Sequence, residues 1–380
     1  LAVSKLMSGE TYLRKFLAVN TDHILATYLL AKNLWFQTRF QEAKNEFGRV
    51  EHLRAKEFDP SQTNIILPPE TVTSVGLMGH LDGLLKKDIL LSKKHRYILP
   101  VPDQSQITNI TLLDYWSEFI EIVSDAEKLK KIQPVYHYVP NSLHWTTTDL
   151  DEKLDHIHNV FAQVQGEWFQ KKGQPLLKLK VEHRLLLERQ LRSWGIGPDD
   201  WFVCLHVRGA GFYAEPSIGG SQDFRNTSIN DYFEAIKYVI SVGGWVIRMG
   251  DSSHPKVEKT FLGSQQFKLI DYANSNEKND ALDVALCASC ELMISSPSGL
   301  HTISDAFGRR VCLLNYPLWQ GIPWNPENIF IPKLYYCTKY RRVLSLAEVF
   351  SRGLFYYDQG FMFEKEGVEL INNTPEEIME

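Results

Sequence analysis

The chain has 380 residues, 44% of them hydrophobic and 23% charged, with a formal net charge of -5. That length is enough for more than one domain, and the charge makes no case for nucleic acid or an anionic membrane surface as partner. There is no run of about 18 apolar residues, so no segment is expected to span a bilayer.

The start, LAVSKLMSGETYLRK, lacks both the apolar core of a signal peptide and an initiator Met, so a longer parent chain is expected. Five cysteines, an odd count in mostly apolar contexts, point to a reducing cytosol. The expected location is cytoplasmic, or the inner face of the membrane. Residues 21–56 predict a helical hairpin. Leu25, Leu29, Leu30 and Leu34 keep helical spacing, the pattern breaks near Gln37 to Arg39, and Phe40, Ala43, Phe47 and Val50 resume it. The step from Ala43 to Phe47, with Leu30 and Ala31 before it, is like one tetratricopeptide repeat. One repeat cannot bury its own face, so it is expected to pack on the next domain or to end an array. An ordinary hairpin is the plainer alternative. This helical unit is assigned residues 1–62.

An α/β unit is expected over 63–194. The segment TSVGLMGHLDGLLKKDILL predicts a short strand, a turn at Gly76 and Gly79, and a helix from about Leu81. RYILPV, 96–101, predicts a second strand, and LLDYWSEFIEIV, 112–123, a helix. Residues 150–194 read as a charged, mostly helical bridge. GIGPDDW, 195–201, is a turn-rich boundary to a third unit, 195–380.

In that unit Phe202, Val203, Cys204, Leu205 and Val207 predict a strand buried on both faces, as in a parallel sheet. A helix of about 228–242 follows, started by Ser228 and Asp231 and ended by Gly243 and Gly244. Then come strand WVIRM, a helix of about 255–262, strand FKLID, a helix of about 280–289, strand LMIS, a helix from Gly299 to Phe307, and strand RVCLLN. Five strands with four crossovers define a doubly wound, Rossmann-like domain.

Ligands of such sheets lie at the carboxyl ends of the strands. The loop after the first strand holds His206, Arg208, Arg225 and Asn226; after the second come Arg248, Gly250 and Asp251; after the third, Asp271 and Tyr272. After the fourth, Ser296, Ser298 and Gly299 precede a helix whose N–H groups and dipole suit a phosphate. A guanidinium is a fork matched to phosphate, so the set points to an anionic ligand such as a nucleotide diphosphate. The plainer readings are a strand-capping ion pair for His206 and Arg208 and a simple serine cap for the helix. The dinucleotide, P-loop and nucleophile-elbow glycine motifs are absent. Asp149 to Asp151 reads D-x-D but lies in a charged stretch expected to be helical. Cys287 and Cys290 read C-x-x-C without the second pair a zinc site needs.

FVCLHVRGAGFY, DFRNTSINDYFEAI, VIRMGD, LIDYA, ISSPSGLHTISDAFG and VELINNTPEEI resemble, from about residue 75 to the end, a bacterial family of glycosyltransferases often found behind tetratricopeptide repeats. HVR is also similar to the H-x-R element of GT-B fucosyltransferases, whose arginine contacts the nucleotide diphosphate. Here Gly209, Ala210 and Gly211 replace the acidic residue that often follows.

The resemblance implies a GT-B-like α/β fold, two Rossmann-like domains facing a cleft behind the N-terminal hairpin. It implies transfer of a hexosyl or deoxyhexosyl group from a nucleotide sugar to a glycan, lipid-linked or protein acceptor, as in polysaccharide biosynthesis. Arg208, with Arg248 or Arg225, and the helix start at Ser298 and Gly299 would hold the diphosphate. Asp271 and Tyr272 would contact the nucleoside. No metal and no cofactor are expected; the nucleotide sugar is a substrate. The acceptor would face Gly76, Gly79 and His80, with His80 as general base. Glu215, Asp223 and Asp251 are rival bases. A nucleotide-sugar epimerase of the same fold stays open, as does a non-catalytic scaffold that binds a protein partner through the hairpin.

Overall fold

The computed structural model describes residues 2–57, 64–101, 103–131, 146–151, 153–209, 222–318 and 325–380. The chain opens with three helices, α1 (Ala2–Val19), α2 (Ile24–Phe36) and α3 (Phe40–Glu57). The reversal between α2 and α3 falls where the apolar pattern breaks, at Thr38, whose φ is 66°. Tyr28, Leu30, Leu34, Trp35, Ala43, Phe47 and Val50 form the buried seam of this unit. Leu25 and Leu29 share the helical spacing but face outward, 45% and 44% exposed.

The first α/β unit holds a three-stranded parallel sheet, β1 (Asn64–Ile66), β2 (Arg96–Pro100) and β3 (Glu121–Val123), in the order β1-β2-β3. Two expectations are corrected here. The strand precedes residue 67, and helix α4 (Val75–Leu90) starts at once after Ser74, whose side chain accepts from the Gly76 N–H. Gly76, Gly79 and His80 therefore lie inside a helix rather than in a turn before it. The helix expected over 112–123 is two elements, α5 (Ile110–Trp116) and β3. Asn109 caps α5 by accepting from the Leu112 N–H. Ile122 and Val123 then pair with Leu99 and Pro100 of β2, so one apolar spacing spans a helix and a strand.

The bridge is not wholly helical either. Strands β4 (Thr146–Thr148) and β5 (Leu154–His156) pair antiparallel before α6 (Ile157–Lys171) and α7 (Val181–Ser193). Asp149 to Asp151 sit in the turn of that hairpin, where the Asp149 carboxylate accepts from the Asp151 and Lys153 N–H groups.

The second unit is built on a six-stranded parallel sheet of β6 (Phe202–His206), β7 (Trp245–Met249), β8 (Leu269–Ile270), β9 (Leu292–Ser295), β10 (Arg310–Tyr316) and β11 (Ile329–Pro332), in the order β11-β10-β9-β6-β7-β8. The five expected strands are present, and β11 adds a sixth at the edge. Every residue of β6 and β7 is buried, as a sheet covered on both faces requires. Helices α8 (Phe233–Ser241), α9 (Asp280–Ser289) and α10 (His301–Ala306) form crossovers. The α-helix expected at 255–262 is absent: Thr260–Lys268 is 3-10 helix, kinked at Gly263 with φ 53°. The chain closes with a small antiparallel sheet that the sequence reading did not include, β12 (Leu334–Cys337) between β13 (Arg342–Val343) and β14 (Val368–Ile371).

The two parallel-sheet units share one apolar core, in which Leu81, Trp116 and Phe161 join Leu282, Ile303 and Phe307. A buried polar cluster lies beside it. Lys86 Nζ is 2.7 Å from Asp82 Oδ2, and Gln165 accepts from Lys86 at 2.9 Å and donates to Asp82 at 2.5 Å. Both contacts fall on Asp82 Oδ2, while Oδ1 has no hydrogen-bond partner among the described residues; the shared oxygen ties α4 to α6.

Candidate functional site

A cavity of about 690 Å³ opens where these parts meet. Of the residues singled out from sequence, His80, His206, Arg208, Arg225, Asp251, Ser298 and Gly299 line it; Asn226, Arg248, Asp271, Tyr272 and Ser296 do not.

Arg208 follows the end of β6. Its backbone N–H donates to Ser296 Oγ at 2.7 Å, and its Nε donates to Asn226 Oδ1 at 3.2 Å. Asn226 and Ser296 thus act through Arg208: one holds its guanidinium, the other its backbone. Arg225 is held by Gln222 Oε1 at 3.0 Å from Nη1 and by the Pro297 carbonyl at 3.2 Å from Nη2. Two guanidiniums from the one connection between β6 and α8 are therefore pinned at the same cavity wall.

His206 lies at the last position of β6, with Nδ1 lacking a hydrogen-bond partner among the described residues. Burial and then the neighbouring His254 lower its pKa to about 3, so the ring is neutral. His254 stacks edge-on at 5.9 Å and keeps Nδ1 on the Asp251 carbonyl at 3.1 Å. Burial raises the Asp251 carboxyl, but hydrogen bonds from Ser253 and the charge of His254 outweigh it, and the net shift is downward. A carboxylate so held is a weak base.

Several expectations are corrected. Arg248 is 2% exposed and turned inward, pairing with Asp271 Oδ1 at 3.0 Å and donating to the Pro255 carbonyl at 2.8 Å. Asp271 also accepts from the Val257 N–H at 3.1 Å. This pair ties together the loop between β7 and β8; it does not face a ligand. Tyr272 is fully buried, its hydroxyl against the Asn279 backbone, and burial raises its pKa. The start of α10 is not an open phosphate cradle. The Leu300 N–H is taken by Ser298 Oγ at 3.3 Å and the Ser298 N–H by the Tyr316 hydroxyl at 3.3 Å. A Cβ on Gly299 would lie 2.5 Å from Gly76 Cα, so the space left by the missing side chain is filled by α4. Of the rival bases, Asp223 accepts from Asn226 Nδ2 at 2.9 Å and is not at the cavity. Glu215, like Gly211, lies outside the described residues.

Sequence reasoning missed much of the wall. His156, His158, His254 and His301 join His80 and His206 there, half of the chain's 12 histidines. Burial lowers His156 to about 3 and His301 to about 4, so both are neutral. His301 Nδ1 sits 2.6 Å from the Ser298 carbonyl and 3.0 Å from the Tyr316 hydroxyl. Lys278, Asp280 and Asp283 line another stretch, with Lys278 Nζ 2.8 Å from both Asp283 oxygens. Asp280 Oδ2 accepts from the Ile110 N–H at 2.7 Å, which joins α9 to the first unit. Only the close pair His156 and His158 carries any local signal; the rest converge from distant loops. Among the described residues no group of three or more His, Cys, Asp or Glu has the geometry to hold a metal ion, and no helix is long and apolar enough to cross a membrane.

No family model and no curated protein matches the chain. Among solved structures it is similar to the glycosyl transferase family 9 protein of Veillonella parvula DSM 2008, at 13% identity over 78% of this chain and 89% of that one, with a TM-score of 0.44. It is similar to E. coli ADP-heptose LPS heptosyltransferase II at 14% identity, over 74% of this chain and 83% of that one, with a TM-score of 0.36. A third is the dodecameric iron-containing heptosyltransferase TibC in complex with ADP-D-beta-D-heptose, at 15% identity over 72% of this chain and 63% of that one, with a TM-score of 0.40. What the cavity of the present chain can bind is set by its own residues.

Proposed function

We propose that the protein is a glycosyltransferase of the GT-B type, which moves a hexosyl or deoxyhexosyl group from a nucleotide sugar to a glycan, lipid-linked or protein acceptor. One observation carries this reading. Arg208 and Arg225, each anchored by neighbours, reach a single cavity at the carboxyl ends of a parallel sheet, where that sheet meets a second α/β unit. That is where open parallel sheets bind ligands, and paired guanidiniums match a diphosphate.

In transfer, the bond from the anomeric carbon to the diphosphate oxygen breaks and negative charge grows on that oxygen. Fixed guanidiniums stabilise that charge without having to reorganise. They serve in place of a metal, and the reading includes metal-independent transfer with no cofactor. The nucleoside is assigned to the wall of Lys278, Asp280 and Asp283, in place of Asp271 and Tyr272. His80, half-buried on α4 at the cavity, is the proposed base for the acceptor proton.

A thermal-shift panel of ADP, GDP, UDP and CDP tests this. At least one is expected to raise the melting temperature, by an amount that grows with the logarithm of its concentration over Kd, and its sugar ester to release nucleoside diphosphate equally with and without chelator. No response to any of the four overturns the reading. A reaction that stops with chelator and resumes with Mg²⁺ or Mn²⁺ overturns its metal-independent part.

A further inference from the structure

One end of the cavity differs chemically from the arginine wall. Trp35 reaches it from α2, His156 and His158 from the β5–α6 junction, and Tyr356 and Asp358 from the C-terminal segment. Trp35 and His156 stack with ring centres 5.8 Å apart and planes 21° from parallel. Tyr356 stands edge-on to Trp35 at 5.5 Å and lies 6.1 Å from His156. Its hydroxyl accepts from Lys44 Nζ of α3 at 2.9 Å, which fixes the ring. The N-terminal helices therefore build part of this wall.

Asp358 is only 5% exposed, and its Oδ1 has no hydrogen-bond partner among the described residues. Leaving a buried acceptor unsatisfied is costly, and a ligand that supplies the missing donor removes the cost. The position is not loose. The Asp358 carbonyl accepts from Gln222 Nε2 at 3.0 Å, and Oε1 of the same glutamine accepts from Arg225 Nη1 at 3.0 Å. One side chain thus sets the carboxyl at a fixed offset from a guanidinium of the diphosphate wall. Burial raises the Asp358 carboxyl to about 7, which lets it accept from or donate to a hydroxyl near neutral pH. Aromatic rings offer a flat apolar face, and a carboxyl beside them selects hydroxyls and disfavours anions. That combination matches a sugar ring, which has C–H faces and a hydroxyl rim.

We infer that this end is the acceptor subsite and that it takes a neutral sugar, with Asp358 binding a hydroxyl and Tyr356 covering a ring face. The inference rests on the glycosyltransferase reading and names its acceptor class. It also makes the N-terminal helices part of the site's wall.

The test is saturation-transfer NMR on the full chain with methyl glycosides of glucose, galactose, mannose and N-acetylglucosamine, and separately with a serine-containing peptide. The nucleoside diphosphate that raises the melting temperature is titrated in parallel. At least one glycoside is expected to bind saturably. Asp358→Asn is expected to weaken it about tenfold or more, the low end for losing a hydrogen bond to a charged group, and Tyr356→Ala is expected to weaken it by removing the apolar ring face. Nucleoside diphosphate affinity should stay within about twofold. The two variants act through different atoms, and their melting curves show whether each is folded. The inference is overturned if no glycoside binds the wild type, if both variants keep glycoside affinity, or if the peptide binds in place of the glycosides. Loss of nucleoside diphosphate binding by the wild type sinks the glycosyltransferase reading instead, so the two failures are told apart.

Discussion

Gly76 and Gly299 meet backbone to backbone across the junction of the two parallel-sheet units. A Cβ on Gly76 would fall 2.9 Å from Gly299 Cα, and one on Gly299 2.5 Å from Gly76 Cα. One turn along α4, a Cβ on Gly79 would fall 2.9 Å from Thr302 Cγ2. These small residues let α4 and the start of α10 approach closely enough to shape the cavity between them. Gly299→Ala is expected to destabilise the fold by about 1–3 kcal/mol, the usual cost of overpacking. The contrast is Gly166 in α6, where an added Cβ meets nothing within 4 Å. There Ala is expected to stabilise by about 0.5–1 kcal/mol through helix propensity. Urea denaturation of the two variants checks the pair, and a Gly299→Ala protein as stable as wild type would remove the seam from the account.

Much of the second sheet is legible because buried parallel strands leave continuous apolar runs, as in Phe202 to Leu205. The loop carrying Arg208 and Arg225 follows from where the first of those runs ends. The direction of a side chain does not. Arg248 and Arg208 both lie near strand ends, yet Arg248 turns inward to Asp271 while Arg208 lines the cavity. Arg248 lies inside β7, level with Leu205 of β6, whereas Arg208 lies two residues past the end of β6; fixing that strand end to within a residue is what the apolar run alone does not do. Gly299 precedes a helix in sequence, but it touches Gly76 of a helix far earlier in the chain, so its packing role leaves no local trace. The same holds for the histidines and for Trp35, Tyr356 and Asp358, which topology alone assembles.

Arg208 and Arg248 should separate in experiment. Arg208→Ala is expected to weaken nucleoside diphosphate binding by about 1.5–3 kcal/mol, the worth of a hydrogen bond to a charged group, with little change in melting temperature. Arg248→Ala strands the Asp271 carboxylate, and breaking such an inward pair costs about 3–5 kcal/mol of stability. Calorimetric titration and thermal melts of both variants read the difference. If Arg248→Ala loses nucleotide and keeps its stability, Arg248 belongs to the ligand wall.

The buried pair of Asp82 and Lys86 gives a third outcome. Lys86→Met keeps the volume of the stem but leaves the carboxylate that Lys86 and Gln165 now share without its cation. Destabilisation of about 3–5 kcal/mol is expected. Asp82→Asn with Lys86→Met, which removes both charges, should recover most of it. A double variant no better than Lys86→Met would mean that packing, not charge, sets the cost.

Acid should act through the buried histidines. Burial lowers His156 and His206 to about 3 and His301 to about 4, whereas an unfolded histidine titrates near 6.5. The folded pKa is the lower one, so between these values the unfolded chain binds more protons and stability rises with pH. That contribution is complete above about 6.5 and is lost as pH falls toward the folded values. Asp305 and Asp358, raised to about 7 by burial, act in the opposite sense. Their contribution is complete below the unfolded carboxyl pKa and is lost as pH rises through 7. Comparing wild type with His206→Asn cancels the carboxyls and isolates one ring. From pH 7 to pH 4.5 the wild type is expected to lose about 2–3 kcal/mol more than the variant, from 1.36 kcal/mol per pH unit below 6.5. Urea denaturation of both proteins at the two pH values measures this. Equal losses would mean that His206 takes up its proton in the folded chain as readily as in the unfolded one, and that its ring is not sealed in the wall beside Arg208.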